Sequence, residues 1–210
     1  MAVSLLGSYS VMKNEHRRLA SAMGFSIIDT VATLAIIATV SAMATPQAIN
    51  AVDSMRLGMA LRDVERELQF ARLKAVSTNR PMRVRFDCPS AGQLRVVEVI
   101  GTSAAPDAND ADSVTNRCSE TIYPYKPTGA DQSRLTRPNN DGAIRTVYSG
   151  TTFTAKQTLE FWPNGTVHTA CQAACDTSGT QIGTVTLTLS RKSKTKNITV
   201  NGLGKILLDR

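Results

Sequence analysis

The chain has 210 residues, of which 42% are hydrophobic, 20% charged and 5% aromatic, and its formal net charge is +7 at pH 7. This length fits one modest domain together with an anchor. The positive charge is typical of a solvated, mildly basic surface, and attraction to DNA or anionic lipid is the alternative. The low aromatic content argues against a platform on which nucleic-acid bases stack.

A polar leader precedes a long apolar run. Residues 1–24 are mixed in charge, with Arg17 and Arg18 shortly before the apolar residues. A secretory signal peptide has its apolar region first and a small residue at the cleavage site after it, whereas here Gly24 precedes the run. Residues 25–46 are long enough to cross a hydrocarbon core of about 30 Å as a helix. The leader's positive charge predicts that the remainder projects outward from the cytoplasmic side.

Asp29 is the only ionisable side chain between Phe25 and Val52. A carboxylate within such a run costs about 2.5–3.5 kcal/mol on membrane-insertion scales. We therefore expect Asp29 to have a partner and a function.

The helical pattern continues from residue 25 to 78, and Pro46 predicts a kink within it. Beyond Pro46 the apolar residues recur at spacings of three and four, which predicts an amphipathic helix with one buried face. That face comprises Leu57, Leu61, Val64, Leu68, Ala71 and Ala75.

After residue 79 the periodicity changes to two. Alternation over Met82–Phe86 and Gln93–Ile100, separated by Pro89–Gly92, predicts a β-hairpin. Residues 101–117 are polar and without periodicity, which predicts a surface loop in which Asp110 and Asp112 are solvated. Further strands are predicted at Thr121–Tyr125, Ile144–Tyr148, Thr158–Trp162, Thr184–Ser190, Asn197–Val200 and Lys205–Leu208. The fold class is α+β, a long N-terminal helix packed on an antiparallel sheet domain over 79–210.

The four cysteines are an even number, which predicts two disulfides in an oxidising compartment. The pairs of sequence neighbours are Cys88–Cys118 and Cys171–Cys175, although three connectivities exist. A zinc site is disfavoured because no Cys-x-x-Cys pair occurs and His168 is the only histidine after the apolar run. We expect no metal and no cofactor.

Motifs of catalysis are missing: the sequence has no phosphate-binding glycine loop, metalloprotease helix or nucleophile elbow. His168 stands alone, as expected for a surface or turn histidine, and the chain is not expected to be an enzyme. The basic turn from Arg191 to Lys196 could contact phosphates, or could be a solvated hairpin tip that discourages sheet aggregation. The candidate polyanion contacts are Arg191, Lys192, Lys194, Lys196 and Lys205.

Two stretches carry a family resemblance. The segment Gly24–Asp29 with the apolar run and Pro46 resembles the leader and N-terminal helix of type IV pilins and type II secretion pseudopilins. The later stretches Leu159–Thr166 and Gly183–Ser190 resemble the GspH/FimT family of minor pilins and pseudopilins. This resemblance implies a structural subunit of a secretion pseudopilus or type IV pilus, at or near the filament tip.

The resemblance also implies cleavage by a prepilin peptidase between Gly24 and Phe25, and N-methylation of Phe25. The carboxylate at Asp29, which is usually glutamate in the family, would pair with the freed amine of a neighbouring subunit. Implied partners are other pilins or pseudopilins, the inner-membrane assembly platform and the inner membrane itself. The globular part would lie in the periplasm.

DNA uptake is the alternative function. Some pilus members of the family bind DNA through a C-terminal Gly-Arg-x-Arg motif, and here the corresponding residues begin Gly204-Lys205. Only the first cation is kept, as lysine.

Overall fold

The chain folds into two compact units, Met1–Pro46 and Gln47–Arg210. One helix, α1 (Ile27–Thr78), contributes residues to both, and antiparallel strands follow it, as predicted. The structure is a computed structural model that describes residues 26–101, 107–125, 140–170 and 180–209.

In the first unit, the helix begins with a side-chain cap. The Ser26 hydroxyl accepts the main-chain N–H of Ile28 at 3.3 Å, which satisfies one of the free donors of the first turn. Asp29 lies in the same turn, where its negative charge is favourable at the positive end of the helix dipole. Pro46 lies within α1, and the predicted kink there stays a prediction.

In the second unit, α1 buries the face that the spacing predicts. Two further residues of this face, Asp53 and Ala60, are buried although the sequence did not indicate them. The predicted residues Leu57, Leu61, Val64, Leu68, Ala71 and Ala75 are all buried.

Local main-chain bonding ends α1. Asn79 has a φ of +52°, the left-handed conformation that asparagine tolerates better than most residues. The N–H of Arg80 reaches the carbonyl of Ala75 at 3.2 Å, and that of Asn79 reaches Val76 at 3.4 Å. These two bonds are the Schellman pattern, and they satisfy carbonyls that the last helical turn leaves free.

The five-stranded sheet has the order β3-β2-β1-β5-β6, with every neighbour antiparallel. Its centre is the predicted hairpin, in which Val84 of β1 lies opposite Val96 of β2. The strands are β1 (Met82–Phe86), β2 (Gln93–Glu98), β3 (Arg145–Thr146), β5 (Leu159–Phe161) and β6 (Val167–Thr169).

The four-stranded sheet has the order β4-β7-β8-β9 and is also antiparallel. Its longest pair runs from Thr184 opposite Asn201 to Arg191 opposite Lys194. The strands are β4 (Thr152–Ala155), β7 (Thr184–Arg191), β8 (Lys194–Asn201) and β9 (Ile206–Leu208).

One hydrophobic core joins α1 to both sheets. Alternation places Met82, Val84 and Phe86 on the core side of β1. Phe86 meets Phe153 of β4 with ring centroids 4.9 Å apart, so the two sheets contact each other through this pair.

Two predicted strands differ from the structure, and two observed strands were not predicted. Thr121–Tyr125 forms turns rather than a strand, and the predicted strand Ile144–Tyr148 is reduced to Arg145–Thr146. The sequence also missed β4 and β6. Strands of two to four residues show too few alternations for periodicity to identify them.

Candidate functional site

The apolar half of α1 exposes its large side chains. α1 is long and apolar enough to cross a membrane: its apolar stretch has a mean hydropathy of 1.9, and none of that stretch is buried. A long row of exposed apolar side chains needs lipid or another apolar surface around it. The exposed residues are Ile27, Ile28, Val31, Leu34, Ile36, Ile37, Val40 and Met43.

The threonines of this half bond to the helix itself. The hydroxyls of Thr33 and Thr39 donate to the carbonyls three residues earlier, at 3.0 Å and 2.9 Å, and that of Thr45 donates to Ser41 at 2.7 Å. Such back-bonding satisfies a hydroxyl without water or a second protein chain. The hydroxyls therefore add little cost when this segment leaves water.

Asp29 differs from these threonines. Its side chain is exposed, and no ion pair is found for it within residues 26–101, 107–125, 140–170 and 180–209. The predicted cleavage residues Gly24 and Phe25 lie outside the described residues. Cleavage, methylation and the role of Asp29 in assembly stay predictions.

The disulfide Cys88–Cys118 is present, as one of the two sequence-neighbour pairs predicts, with Cα atoms 5.0 Å apart. It joins the end of β1 to a 3₁₀ turn at Asn116–Cys118. Cys171 and Cys175 lie outside the described residues.

Beneath residues 107–125 lies a set of buried ionic side chains, here called the charge cluster. Its members from the five-stranded sheet lie on the face opposite the hydrophobic core. The charge cluster comprises Arg83, Arg85, Arg95, Asp110, Arg117, Asp141 and Glu160, all at most 6% exposed.

The sheet arginines hold the covering segment by its main chain. Arg95 donates to the carbonyls of Gly142, Arg117 and Tyr123 at 2.9, 2.8 and 2.6 Å. Arg85 donates to the carbonyls of Val114 and Asp112 at 2.5 and 2.6 Å.

Arg83 connects the sheet to the same segment. It donates to the main-chain carbonyl of Asp110 and pairs with Glu160 of β5 at 3.0 Å. Charge-assisted bonds of this kind are stronger than neutral ones, so together they can fix a segment that has few apolar side chains.

Arg117 is the centre of the charge cluster. Its guanidinium pairs with Asp110 at 3.2 Å and with Asp141 at 2.6 Å, and it lies 4.7 Å from the ring centroid of Tyr123. Asp110 also accepts the main-chain N–H groups of Ile100 and Gly101, at 2.8 and 2.6 Å. The expectation that Asp110 is solvated was wrong, because this carboxylate ties the segment to the end of β2.

Burial raises the pKa of the Asp110, Asp141 and Glu160 carboxyls above their ordinary values, and nearby arginines oppose the rise. One oxygen each of Asp141 and Glu160 is buried without a hydrogen-bond partner among the described residues. Burial therefore outweighs the charge partners at these carboxyls.

The basic turn folds back onto α1. Arg191 and Lys192 both reach the buried carboxylate of Asp53, at 3.1 and 2.6 Å, and the Lys194 ammonium donates to the carbonyl of Asn50 at 2.6 Å. The hydrogen bond from Lys192 is the largest effect on Asp53 and lowers its pKa, and Arg191 acts in the same direction. These cations have a structural role that the sequence did not indicate.

The remaining two candidate cations lie elsewhere. Lys196 is half-buried on β8, and Lys205 is exposed just before β9. The five cations are therefore not one solvated hairpin tip, and DNA contact by any of them stays a prediction.

Comparison with protein families shows which family the chain belongs to. Residues 60–204 match the family described as "Type II transport protein GspH". The chain belongs to the GspH family. The matched range begins in α1, includes the charge cluster and the disulfide Cys88–Cys118, and ends just before β9.

Two solved structures of the type IV minor pilin FimU of Pseudomonas aeruginosa are similar to this GspH-family chain. The crystal form in space group P21 has 15% identity and a TM-score of 0.43, covering 73% of this chain and 88% of that one. The form in P65 has 17% identity and a TM-score of 0.40, covering 73% and 93%. No curated protein gives a significant match.

Members of the GspH family are pilin-type structural subunits that assemble with other pilins in a filament. The one such apolar helix found among the described residues fits a single-pass anchor in such a protein. His168 fits a structural role in this fold, since its ring stacks on Trp162 with centroids 4.6 Å apart and lies 2.9 Å from the Thr166 hydroxyl.

The sequence missed the charge cluster and Asp53. Alternating arginines on a strand look like a solvated face, and nothing local to Arg83 or Arg85 shows that another segment covers them. One weak signal existed. Arg117 directly precedes Cys118, so a Cys88–Cys118 bond brings this arginine near the end of β1.

Proposed function

We propose that this GspH-family protein is a minor pseudopilin or pilin, a non-enzymatic subunit at or near the tip of a secretion pseudopilus or type IV pilus. Residues 1–24 are the leader, residues 25–46 the membrane and assembly segment, and residues 79–210 a periplasmic domain. The observation that carries the proposal is the family match together with the exposed apolar half of α1.

Assembly follows from the properties of that helical half. Its apolar side chains favour lipid before assembly and other apolar helices afterwards, and its threonine hydroxyls are already bonded within the helix. It can therefore pass from a membrane into a helix bundle without exposing new polar groups.

Asp29 favours transfer of the helix from the membrane into the bundle. An ammonium at the processed N-terminus of a neighbouring subunit would offset the cost of burying the carboxylate. Only a neighbouring subunit whose N-terminus lies level with Asp29 along the bundle would supply that ammonium. The further proposed partners are the prepilin peptidase, which makes the new N-terminus, and the inner-membrane platform, which inserts the subunit.

Replacement of Gly24 tests processing. A bulky Gly24→Trp variant should stay at precursor length, because the peptidase must accommodate the residue before the cut, whereas Gly7→Trp in the same leader should be cleaved normally. Mass spectrometry of the membrane-extracted chain gives the N-terminus. A Gly24→Trp chain that begins at Phe25 would contradict the proposal.

A further inference from the structure

A groove runs between α1 and the edge strand β9 within the second unit. Its volume is about 980 Å³. Met55, Gly58 and Met59 line it from α1, and Ile206 and Leu208 line it from β9.

β9 presents free main-chain groups at this groove. It is the last strand of the four-stranded sheet, and within residues 26–101, 107–125, 140–170 and 180–209 its only strand neighbour is β8. The bonds from Asn201 N–H to the Lys205 carbonyl and from Asp209 N–H to the Asn197 carbonyl show which residues of β9 bond to β8. Since bonding alternates along an antiparallel pair, the N–H and C=O groups of Ile206 and Leu208 point away from β8.

The α1 side of the groove is apolar and open. Met55 is 69% exposed and Met59 is 49% exposed. A Cβ added at Gly58 would have no heavy atom within 4 Å, so the absence of a side chain there leaves room above the helix. Exposed methionines are adaptable contacts for apolar side chains of varied shape.

The charged residues that line the groove are two cations and one carboxylate. Arg62 and Lys196 line it, and no ion pair is found for either within the described ranges from 26 to 209. Asp209 lines it too, and its carboxylate accepts the side-chain amide of Asn197 at 3.3 Å. The cations favour an occupant with a carboxylate.

We propose that this groove binds an extended segment of a partner protein, which adds as a strand to β9. The segment carries apolar side chains at alternate positions, which contact Met55 and Met59, and an acidic residue that meets Arg62 or Lys196. Strand addition gives main-chain hydrogen bonds, and the side chains give specificity.

The free groups of Ile206 and Leu208 favour this occupant over a helix. A helix bonds its own main-chain groups internally and would leave those of β9 without partners, whereas an extended segment offers matching donors and acceptors. β9 has only three residues, so the bound segment is short and the affinity modest.

The test uses the full chain in detergent micelles and a synthetic nine-residue peptide that alternates Val and Thr around a central Asp. Amide hydrogen exchange by NMR should show protection of Ile206 and Leu208 when the peptide is added. Leu208→Pro, which removes one outward N–H and is tolerated at an edge, should weaken binding at least tenfold. Leu208→Ala keeps that N–H and should weaken binding less than Leu208→Pro does, because it loses only side-chain contact.

A peptide with Lys in place of Asp should bind several-fold more weakly, as should the original peptide to Arg62→Glu. No binding of the original peptide at millimolar concentration would overturn the proposal, and so would binding that Leu208→Pro leaves unchanged. Equal binding of a helical peptide of the same composition would identify a helix as the occupant and overturn strand addition. Protection of Ile206 and Leu208 that rises with protein concentration alone would identify a second copy and also overturn it.

Discussion

In the first unit, α1 leaves its apolar side chains exposed, whereas the second unit buries arginines and carboxylates beneath residues 107–125. In a soluble protein, large apolar side chains are usually buried and charged side chains exposed, and each of these regions has the opposite arrangement. In the helix, every described threonine hydroxyl has a partner a few residues away. In the charge cluster, Arg117 finds its partners up to 24 residues away.

The comparison separates two ways of satisfying polar groups. A segment that must leave water has to carry its hydrogen-bond partners with it, and a helix does this locally. A covering segment with few apolar residues has to be attached to the sheet by long-range polar bonds. Asp29 is the exception in the helix, since its proposed partner belongs to another molecule.

The largest effect is expected from replacing Asp29, the polar side chain of the helix whose proposed partner lies in another molecule. Asp29→Asn keeps the shape of the side chain but removes its charge, so we expect processed protein that fails to enter filaments, with the fold of the second unit unchanged. Quantifying the subunit in sheared filaments by immunoblot measures this, and Asp29→Glu should restore incorporation. Asp63→Asn, at an exposed carboxylate of the second unit, is the control. Normal incorporation of Asp29→Asn would show that this carboxylate needs no charged partner.

Arg117→Met should cause the next largest effect, on stability. It leaves Asp110 and Asp141 buried without their cation, a change that typically costs about 3–5 kcal/mol. The free energy of unfolding is measured by urea titration of the full chain in micelles. Arg66→Met, at an exposed helical arginine, should cost less than about 1 kcal/mol.

Adding Asp110→Asn and Asp141→Asn to Arg117→Met should recover part of the loss, because the two buried carboxylates that lose the Arg117 cation are then neutral amides. Equal costs for Arg117→Met and Arg66→Met would mean that the charge cluster does not hold the segment.

The smallest effect is a pH dependence of opposite sign at two carboxyls. The raised pKa of Asp141 means that the folded state binds its proton more tightly, so this contribution to stability is lost as pH rises above 3.8 through the folded pKa. The lowered pKa of Asp53 gives a contribution present above pH 3.8 that is lost as pH falls. In urea titrations from pH 3 to 7, Asp141→Asn should reduce the first slope, to which Asp110 and Glu160 also contribute, and Asp53→Asn should remove the second. Parallel pH profiles for the two variants would contradict these assignments.

Local patterns were enough to predict much of the fold. The spacing from Leu57 to Ala75 gave the buried face of α1, and the turn Pro89–Gly92 gave the central hairpin. The four-residue strand β4 and the turns at Thr121–Tyr125 were mispredicted, because short segments take their structure from distant neighbours.

Candidate functional residues were harder to place. Asp53 looked like one more polar residue on a helix, and its partners Arg191 and Lys192 lie 138 and 139 residues away. Because Asp53 is so far from the basic turn in sequence, nothing near Arg191 or Lys192 indicated that they have a buried partner. Gly24 and Asp29 belong to one local sequence pattern, so the sequence can suggest their roles. Testing those roles requires a peptidase and a neighbouring subunit.

The attachment of residues 107–125 has a consequence for protein engineering. Arg85 and Arg95 bind mainly carbonyl oxygens, which every amino acid supplies whatever its side chain. The stretch from Ser113 to Asn116 can therefore accept foreign residues while its main chain stays attached. It is a place to display a short epitope on the surface of the domain without redesigning the sheet beneath it.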